Sequence, residues 1–393
     1  MNLDPKTVTA HLRWLLPAAW QTVRSRPIAF SAESPIHVLI AVCDHFEPRD
    51  VGVSPPRAEE RVAYWVDNYP CNLGGFRDSD GRSPRHSFFY PIEDYDADLV
   101  EGISQLCRAG HGELEVHLHH DGDTAETLRR TLLEGVERFA GRHGALARHR
   151  ATGKLGYAFI HGNWALNNAR PDGCWCGVND EIRVLRETGC YADFTYPSAP
   201  SPTQPPTLNA IYHAQSHAAH PRGHDRGVRA GLAPAPEDAL LMVEGPLLLD
   251  ARRRKWGVVP KLENACLQLS QPPSMRRLDL WLRAHVHVPS RPDWCFVKLH
   301  AHGATERDRD TLLGPPMQAF HEALAQKAAE TPGFCYHYVS AREMANLALA
   351  AASGFQGAVE NGRDFVYVRS EGEPAALGAS AARGEPLERE ALE

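Results

Sequence analysis

Between Gly112 and Thr124 the sequence reads GELEVHLHHDGDT, with three histidines, two aspartates and two glutamates in thirteen positions. Imidazoles and carboxylates hold divalent metals such as zinc, and they also give and take protons in catalysis. Read as a strand, the stretch alternates. Leu114, Val116 and Leu118 fall on one face and Glu113, Glu115, His117 and His119 on the other. Burying such groups unpaired costs roughly several kcal/mol each, so the row demands partners or a cation.

Related chemistry ends three other strand-like runs. The first, 35–46, closes on CDHFEP with Asp44, His45 and Glu47; the run 155–163 leads into His161, Asn163 and Trp164; the run 293–303 carries Lys298, His300 and His302. Each alone has an ordinary reading. A strand-end histidine is usually a hydrogen-bonding residue, Asp123 can cap the helix that follows it with Glu126 in a capping box, and His117 can face a buried carboxylate. As a set they supply metal ligands and leave groups over for acid and base. A metal polarises a carbonyl and activates water, a free aspartate takes a proton and a late histidine returns one. His37, His213, His217, His220 and His224 converge with nothing in the sequence and are read as structural. Phosphate-binding glycine loops and a GxSxG elbow are absent. Cys43 sits in an apolar strand, a poor place for a nucleophile. Cys174 and Cys176, near Cys190, lack CxxC spacing and a fourth ligand, so they too read as structural.

The elements that must position these groups alternate. Strands are expected at 35–46, 85–91, 113–119, 155–163, 191–197, 293–303 and 334–340. Helices are expected at 56–69, 94–109, after Asp123, at 179–189, 310–330 and from Ala341. Such β–α repeats imply an α/β fold of mostly parallel strands with crossover helices, whose functional groups gather at the carboxyl ends of strands. Residues 207–290 are irregular, and their polar run 213–227 is read as a lid. The segment after 370 is rich in Ala, Gly, Glu and Pro and reads as a disordered tail.

The bulk properties narrow the function. With 43% hydrophobic and 23% charged residues the chain is globular, and a net charge of −7 argues against a nucleic-acid partner. The basic run 251–257 reads as a solvated face. No stretch approaches the roughly 18 apolar residues of a membrane span. The N-terminal segment, broken by Arg13 and Pro17, reads as an amphipathic helix on the body or on a partner, which keeps a homo-oligomer open. Nine scattered cysteines suit reduced thiols in a cytoplasm.

The order of these pieces resembles the polysaccharide deacetylase (NodB-homology, carbohydrate esterase 4) superfamily. VCDHFEP stands where that family has its paired aspartates, HSFFYP (86–91) is similar to its TFF strand, EVHLHHDGD (115–123) to its histidine motif, and VKLHAHG (297–303) to its last histidine strand. FIHGNW (159–164) replaces its arginine–proline loop, and His45 the second aspartate. The resemblance spans roughly 36–303 and implies a distorted (β/α)7-type barrel over 36–370, with an N-terminal helical segment 1–35, a long insertion 207–290 and the tail 371–393. It implies one divalent metal, zinc by preference. One register gives His45, His119 and Asp123 as ligands with Asp44 as base; another gives His117 and His119 with Asp44 as ligand. His300, with His302 beside it, stands at the place of the late general acid. The implied reaction is hydrolysis of an amide C–N bond, most simply N-deacetylation of a sugar or small metabolite, with His161, Asn163, Trp164, Tyr90 and His302 as substrate contacts and Trp175 as a further wall for a sugar ring. An amidohydrolase-type enzyme, suggested by the HLH and HAH patterns, and an inactive carbohydrate-binding barrel are the alternatives.

Overall fold

A computed structural model of the chain describes residues 5–50 and 52–370. In chain order the elements are α1 (Pro5–Arg24), β1 (Ile36–His45), α2 (Pro55–Leu73), β2 (His86–Pro91), α3 (Ala97–Leu106), β3 (Gly112–Leu118), α4 (Ala125–His143), β4 (Ala147–His149) and β5 (Leu155–His161). There follow α5 (Glu181–Glu187), β6 (Cys190–Asp193), β7 (Ala210–Ala214), β8 (Val228–Arg229), β9 (Leu240–Glu244), β10 (Leu248–Lys255), β11 (Val259–Glu263), β12 (Cys266–Leu267) and α6 (Met275–Ala284). The chain continues with β13 (Trp294–Ala301), α7 (Glu306–Leu313), α8 (Pro315–Glu330), β14 (Phe334–Tyr338), α9 (Ala341–Ala352), α10 (Val359–Gly362) and β15 (Tyr367–Arg369).

One large sheet runs in the order β12-β13-β1-β2-β3-β5-β6-β9-β7-β8. It is parallel from β12 to β9 and turns antiparallel at β7 and β8. β14 pairs parallel with the first half of β1, and β4 and β15 form an antiparallel edge. Among the described residues no strand pair joins the two ends of this path. The fold is therefore α/β with a large, mostly parallel sheet.

Strand alternation divides the sheet's side chains. On the outer face Val38, Ile40, Phe88, Val116 and Phe159 pack against α2–α8. Helix α2 buries Ala58, Val62, Trp65, Tyr69 and Leu73, the three-and-four spacing of one helix face. On the inner face Leu39, Ala41, Cys43, Phe89, Ile160 and Phe296 pack against Ala341, Met344, Ala345 and Ala348 of α9.

Three boundaries differ from the sequence expectation. Thr124, not Asp123, caps α4, its hydroxyl exchanging with Thr127, because the Asp123 carboxylate is drawn back to His120. The helix expected at 310–330 is two, broken at Gly314–Pro315, where a proline disfavours helical backbone in the residue before it. α3 starts only after Asp96, whose side chain caps it. The stretch 207–290 contributes β7, β8, β9 and β12 to the main sheet, besides the β10–β11 hairpin and α6. Within its polar run, His224 is buried against Tyr196, and Arg222 binds the carbonyls of Ala169, Pro202 and Gln204. The expected tail lies outside the described residues. α1 docks on the body: Trp14 and Ala18 pack with Ala199, Leu208 and Leu247.

The inner face is not wholly apolar. Lys298 of β13 is fully buried, and its ammonium donates to the carbonyls of Phe194 and Val243 (2.8 Å each) and of Tyr196. These carbonyls belong to the β6–β9 side, so one side chain ties strands far apart in the sheet order. Lys298→Met is expected to leave them unsatisfied and to destabilise the fold by about 3–5 kcal/mol, measured by urea unfolding; a loss under about 1 kcal/mol would show that the tie is dispensable.

Candidate functional site

The row on β3 resolves into partners, one residue at a time. Glu113 is held by Arg342 (2.8 and 3.0 Å) and by the Ser340 hydroxyl (2.8 Å). Glu115 accepts from the Tyr191 hydroxyl (2.5 Å) and the Ala158 amide (2.6 Å), and burial pushes its carboxyl up to about 8. Both are structural. Above them His117 Nε2 meets Glu47 Oε1 at 2.8 Å. His119 Nδ1 lies 2.6 Å from Glu93 Oε1, and its Nε2 lies 3.3 Å from Glu47 Oε1. Burial opposes charge on His119, but the contacts with Glu47 and Glu93 outweigh it and raise the ring to about 10. Burial would also raise Glu47, yet its contacts with His117 and His119 hold it far below the usual carboxylate range.

The other strand ends complete the ring. His45, at the end of β1, stacks on His302 (centroids 4.7 Å apart) and packs edge-on to His117 (4.8 Å). Trp164 stands 6.1 Å from His45 and 6.3 Å from His302, forming a wall. His300 lies on β13 beside Cys43. Burial drives the pKa of both His45 and His300 well below the ordinary value, which favours the uncharged ring. His45, Glu47 and His117 each offer one ligand atom within 4.8 Å of the others. Four buried nitrogens here lack a hydrogen-bond partner: Nδ1 of His45, His117 and His300, and Nε1 of Trp164. Two imidazoles and a carboxylate, with further imidazole nitrogens unpaired around them, fit a divalent metal, whereas the Trp164 indole is a donor only.

Two glycines make the crowding feasible. A Cβ on Gly162 would lie 2.3 Å from the His119 ring, and one on Gly303 would lie 2.3 Å from Asp44 Oδ2.

The structure gathers His45, His117, His119, His300, His302 and Trp164 at one end of the sheet. It sends Asp44, Tyr90, Asp123, His161 and Trp175 elsewhere. Asp44, next to His45, points to the outer face, as alternation requires. It is fully buried, with Oδ2 2.9 Å from His86 Nε2 and Oδ1 accepting the Gly303 amide at 2.7 Å. Tyr90 is likewise outward, its ring packed edge-on to Phe139 of α4. Asp123 lies with His120 (3.0 Å). His161 faces His120, their centroids 4.6 Å apart. Asn163 gives its backbone amide to His161 Nδ1 at 3.2 Å. Trp175 is exposed, under the Arg170 guanidinium. Glu47 and Glu93 were not among the expected ligands. Glu47 had a signal, lying two residues beyond His45 at a strand end; Glu93 had none beyond following β2. A cavity of ≈ 630 Å³ opens near Glu113 and Glu115, lined also by Arg342 and Arg369, at the opposite end of β3. The neighbouring Glu113 and Arg342 already satisfy each other, so the chemistry collects at the His45 end.

No protein-family model and no curated protein matches the chain. Among solved structures it is similar to a protein from Parabacteroides distasonis whose description as a glycoside hydrolase/deacetylase is provisional. The identity is 12% over 80% of this chain and 71% of that one, with a TM-score of 0.37, a likeness too distant to assign an activity.

Gly162→Ala is expected to push His119 off Glu47. In metal-free protein the His119 ring should then titrate below 10, towards the ordinary 6.5, because carboxylate contacts are what raise it. Ring titration by NMR checks this; a His119 still near 10 would contradict the packing.

Proposed function

We propose that the chain is a metal-dependent hydrolase of an amide C–N bond, with an N-acetylated sugar or related small metabolite as substrate. The observation that carries this reading is the meeting of His45, Glu47 and His117 within ligand distance of one another, with unpaired buried ring nitrogens around them. A divalent ion held by these three, zinc by preference, would polarise the substrate carbonyl and activate water. His119, braced by Glu93, lies beside that set and can donate to an oxygen gaining negative charge. His300 and His302 flank the opposite side, where one of these rings would take the attacking water's proton and pass it to the leaving amine. Trp164 offers an apolar wall to a sugar ring. Asp44 serves as a positioning residue: it fixes the turn at Gly303 that sets His302, and both its oxygens are occupied. Curling of the sheet into a (β/α)7-like barrel would suit the reading, since Lys298 already reaches from β13 to the β6–β9 side.

One observation favours a second reading, an inactive carbohydrate-binding fold. Glu47 already contacts both His117 and His119, so the cluster closes on itself without an ion. The two readings separate in one experiment: elemental analysis with amine release from N-acetylated chito-oligosaccharides, comparing wild type and His117→Ala. The hydrolase reading expects His117→Ala to hold one ion fewer. It also expects activity to fall by at least on the order of 100-fold, beyond the 10–100-fold typical of losing an outer partner. Wild type that hydrolyses no N-acetylated probe after metal is restored, or that works equally well without metal, would overturn it.

A further inference from the structure

A second cluster of ligand-type side chains lies on the outer side of β3 and β5. His120 follows β3, His161 ends β5, Cys176 lies in the loop 162–180 and Glu181 opens α5. All four are buried, and one ligand atom from each lies within 4.8 Å of the rest. We propose that His120, His161, Cys176 and Glu181 form a closed, four-ligand site for a zinc-like ion that clasps the 162–180 loop, and with it Trp164, onto the sheet. This site is separate from the His45 cluster and stands or falls independently of the proposed hydrolase activity.

The donor set supplies four ligands of the types zinc accepts, two imidazoles, a thiolate and a carboxylate, enough to fill a closed tetrahedral site. Glu181 sits at its centre, with Oε1 3.3 Å from His120 Nε2 and 3.9 Å from His161 Nε2, and Oε2 3.3 Å from Cys176 Sγ. His161 Nε2 is buried, turned toward this centre, and has no hydrogen-bond partner. His120 Nδ1 lies 3.0 Å from Asp123 Oδ2 without hydrogen-bond alignment, so a small ring rotation would give the carboxylate backing typical of a metal-bound histidine. Cys176 Sγ receives the backbone amides of Asn168 (3.3 Å) and Val178 (3.4 Å), donors that suit a sulfur carrying negative charge. His161 binding through Nε2 would carry its proton on Nδ1, so the Asn163 amide contact there would be released.

A third cluster shows the contrast. Asp78, Asp80 and His337 are also close enough to hold an ion, but Arg363 already provides the cation, 3.0 Å from Asp80 and 3.6 Å from Asp78. Among the described residues no lysine or arginine pairs with Glu181. The loop has reason to need a clasp: Trp164 and Trp175 adopt positive φ (54° and 66°), a conformation that disfavours bulky side chains. An ion would hold the loop against that preference.

The test is cobalt loading of the full chain, stripped of metal under reducing conditions. Thiolate–cobalt coordination gives near-ultraviolet charge-transfer absorption that imidazole and carboxylate ligands do not. Wild type is expected to show this band, Cys176→Ser to lose it with one bound ion, and His117→Ala to keep it. His161→Gln, with folding of each variant verified by circular dichroism, is expected to weaken cobalt binding at the band-giving site by at least 10-fold. A wild type without the band, a band surviving in Cys176→Ser, or unchanged affinity in a folded His161→Gln would overturn the proposal. Loss of the band in Cys176→Ser, with no ion lost in His117→Ala, would leave this site standing and remove the metal from the proposed hydrolase.

Discussion

Polar groups buried on the inner face of the sheet set the terms for everything else. Desolvated ammonium and carboxylate groups are tolerated only where partners meet them, so each fixes the elements around it. Lys298 draws backbone carbonyls of the β6–β9 side toward β13. Glu113 fastens α9 under the sheet through Arg342 and Ser340, and Glu115 ties β3 to β5 and Tyr191. Only at the carboxyl end does the row change character. There the partners of His117 and His119 are Glu47 and Glu93, which arrive from loops after β1 and β2. The same strand thus anchors the fold at one end and presents ligands at the other.

The two histidine clusters are consequences of strand alternation acting on neighbouring positions. His117 points inward to His45, while the strand-end His161 of β5 points outward to His120 and Cys176. Between them runs the loop that carries Trp164, which walls the inner cluster while its neighbours Asn167 and Asn168 pack onto the outer one. Holding that loop therefore bears directly on the geometry around His45 and His302. Gly162, at the start of the loop, leaves room for the His119 ring.

Much of this was legible in the residues. Period-two alternation in ELEVHLH placed Glu113, Glu115, His117 and His119 on one face, and the histidines at strand ends pointed to the end of the sheet where His45, His117 and His302 meet. Residue identity alone did not separate inward from outward positions at those ends. Asp44 and His45 are adjacent and equally plausible as chemistry, yet they face opposite sides of the sheet. Asp123 carries a ligand's side chain but lies in the turn after β3, where His120 claims it. Cys176 gave no recognisable spacing because its companions come from residues 120, 161 and 181, brought together only by the crossing of β3, β5 and α5. The stretch 207–290 was opaque for a related reason: its short strands take their register from one another and from the distant β6 and β13, not from any pattern of their own.

The central claim, that the inner cluster is a metal centre, is tested most directly by a crystal structure of the zinc-loaded chain with anomalous data collected at the zinc edge. The account predicts an anomalous peak bound by His45, Glu47 and His117. Full zinc occupancy elsewhere, with Glu47 still bridging His117 and His119 and no peak between these three residues, would contradict it.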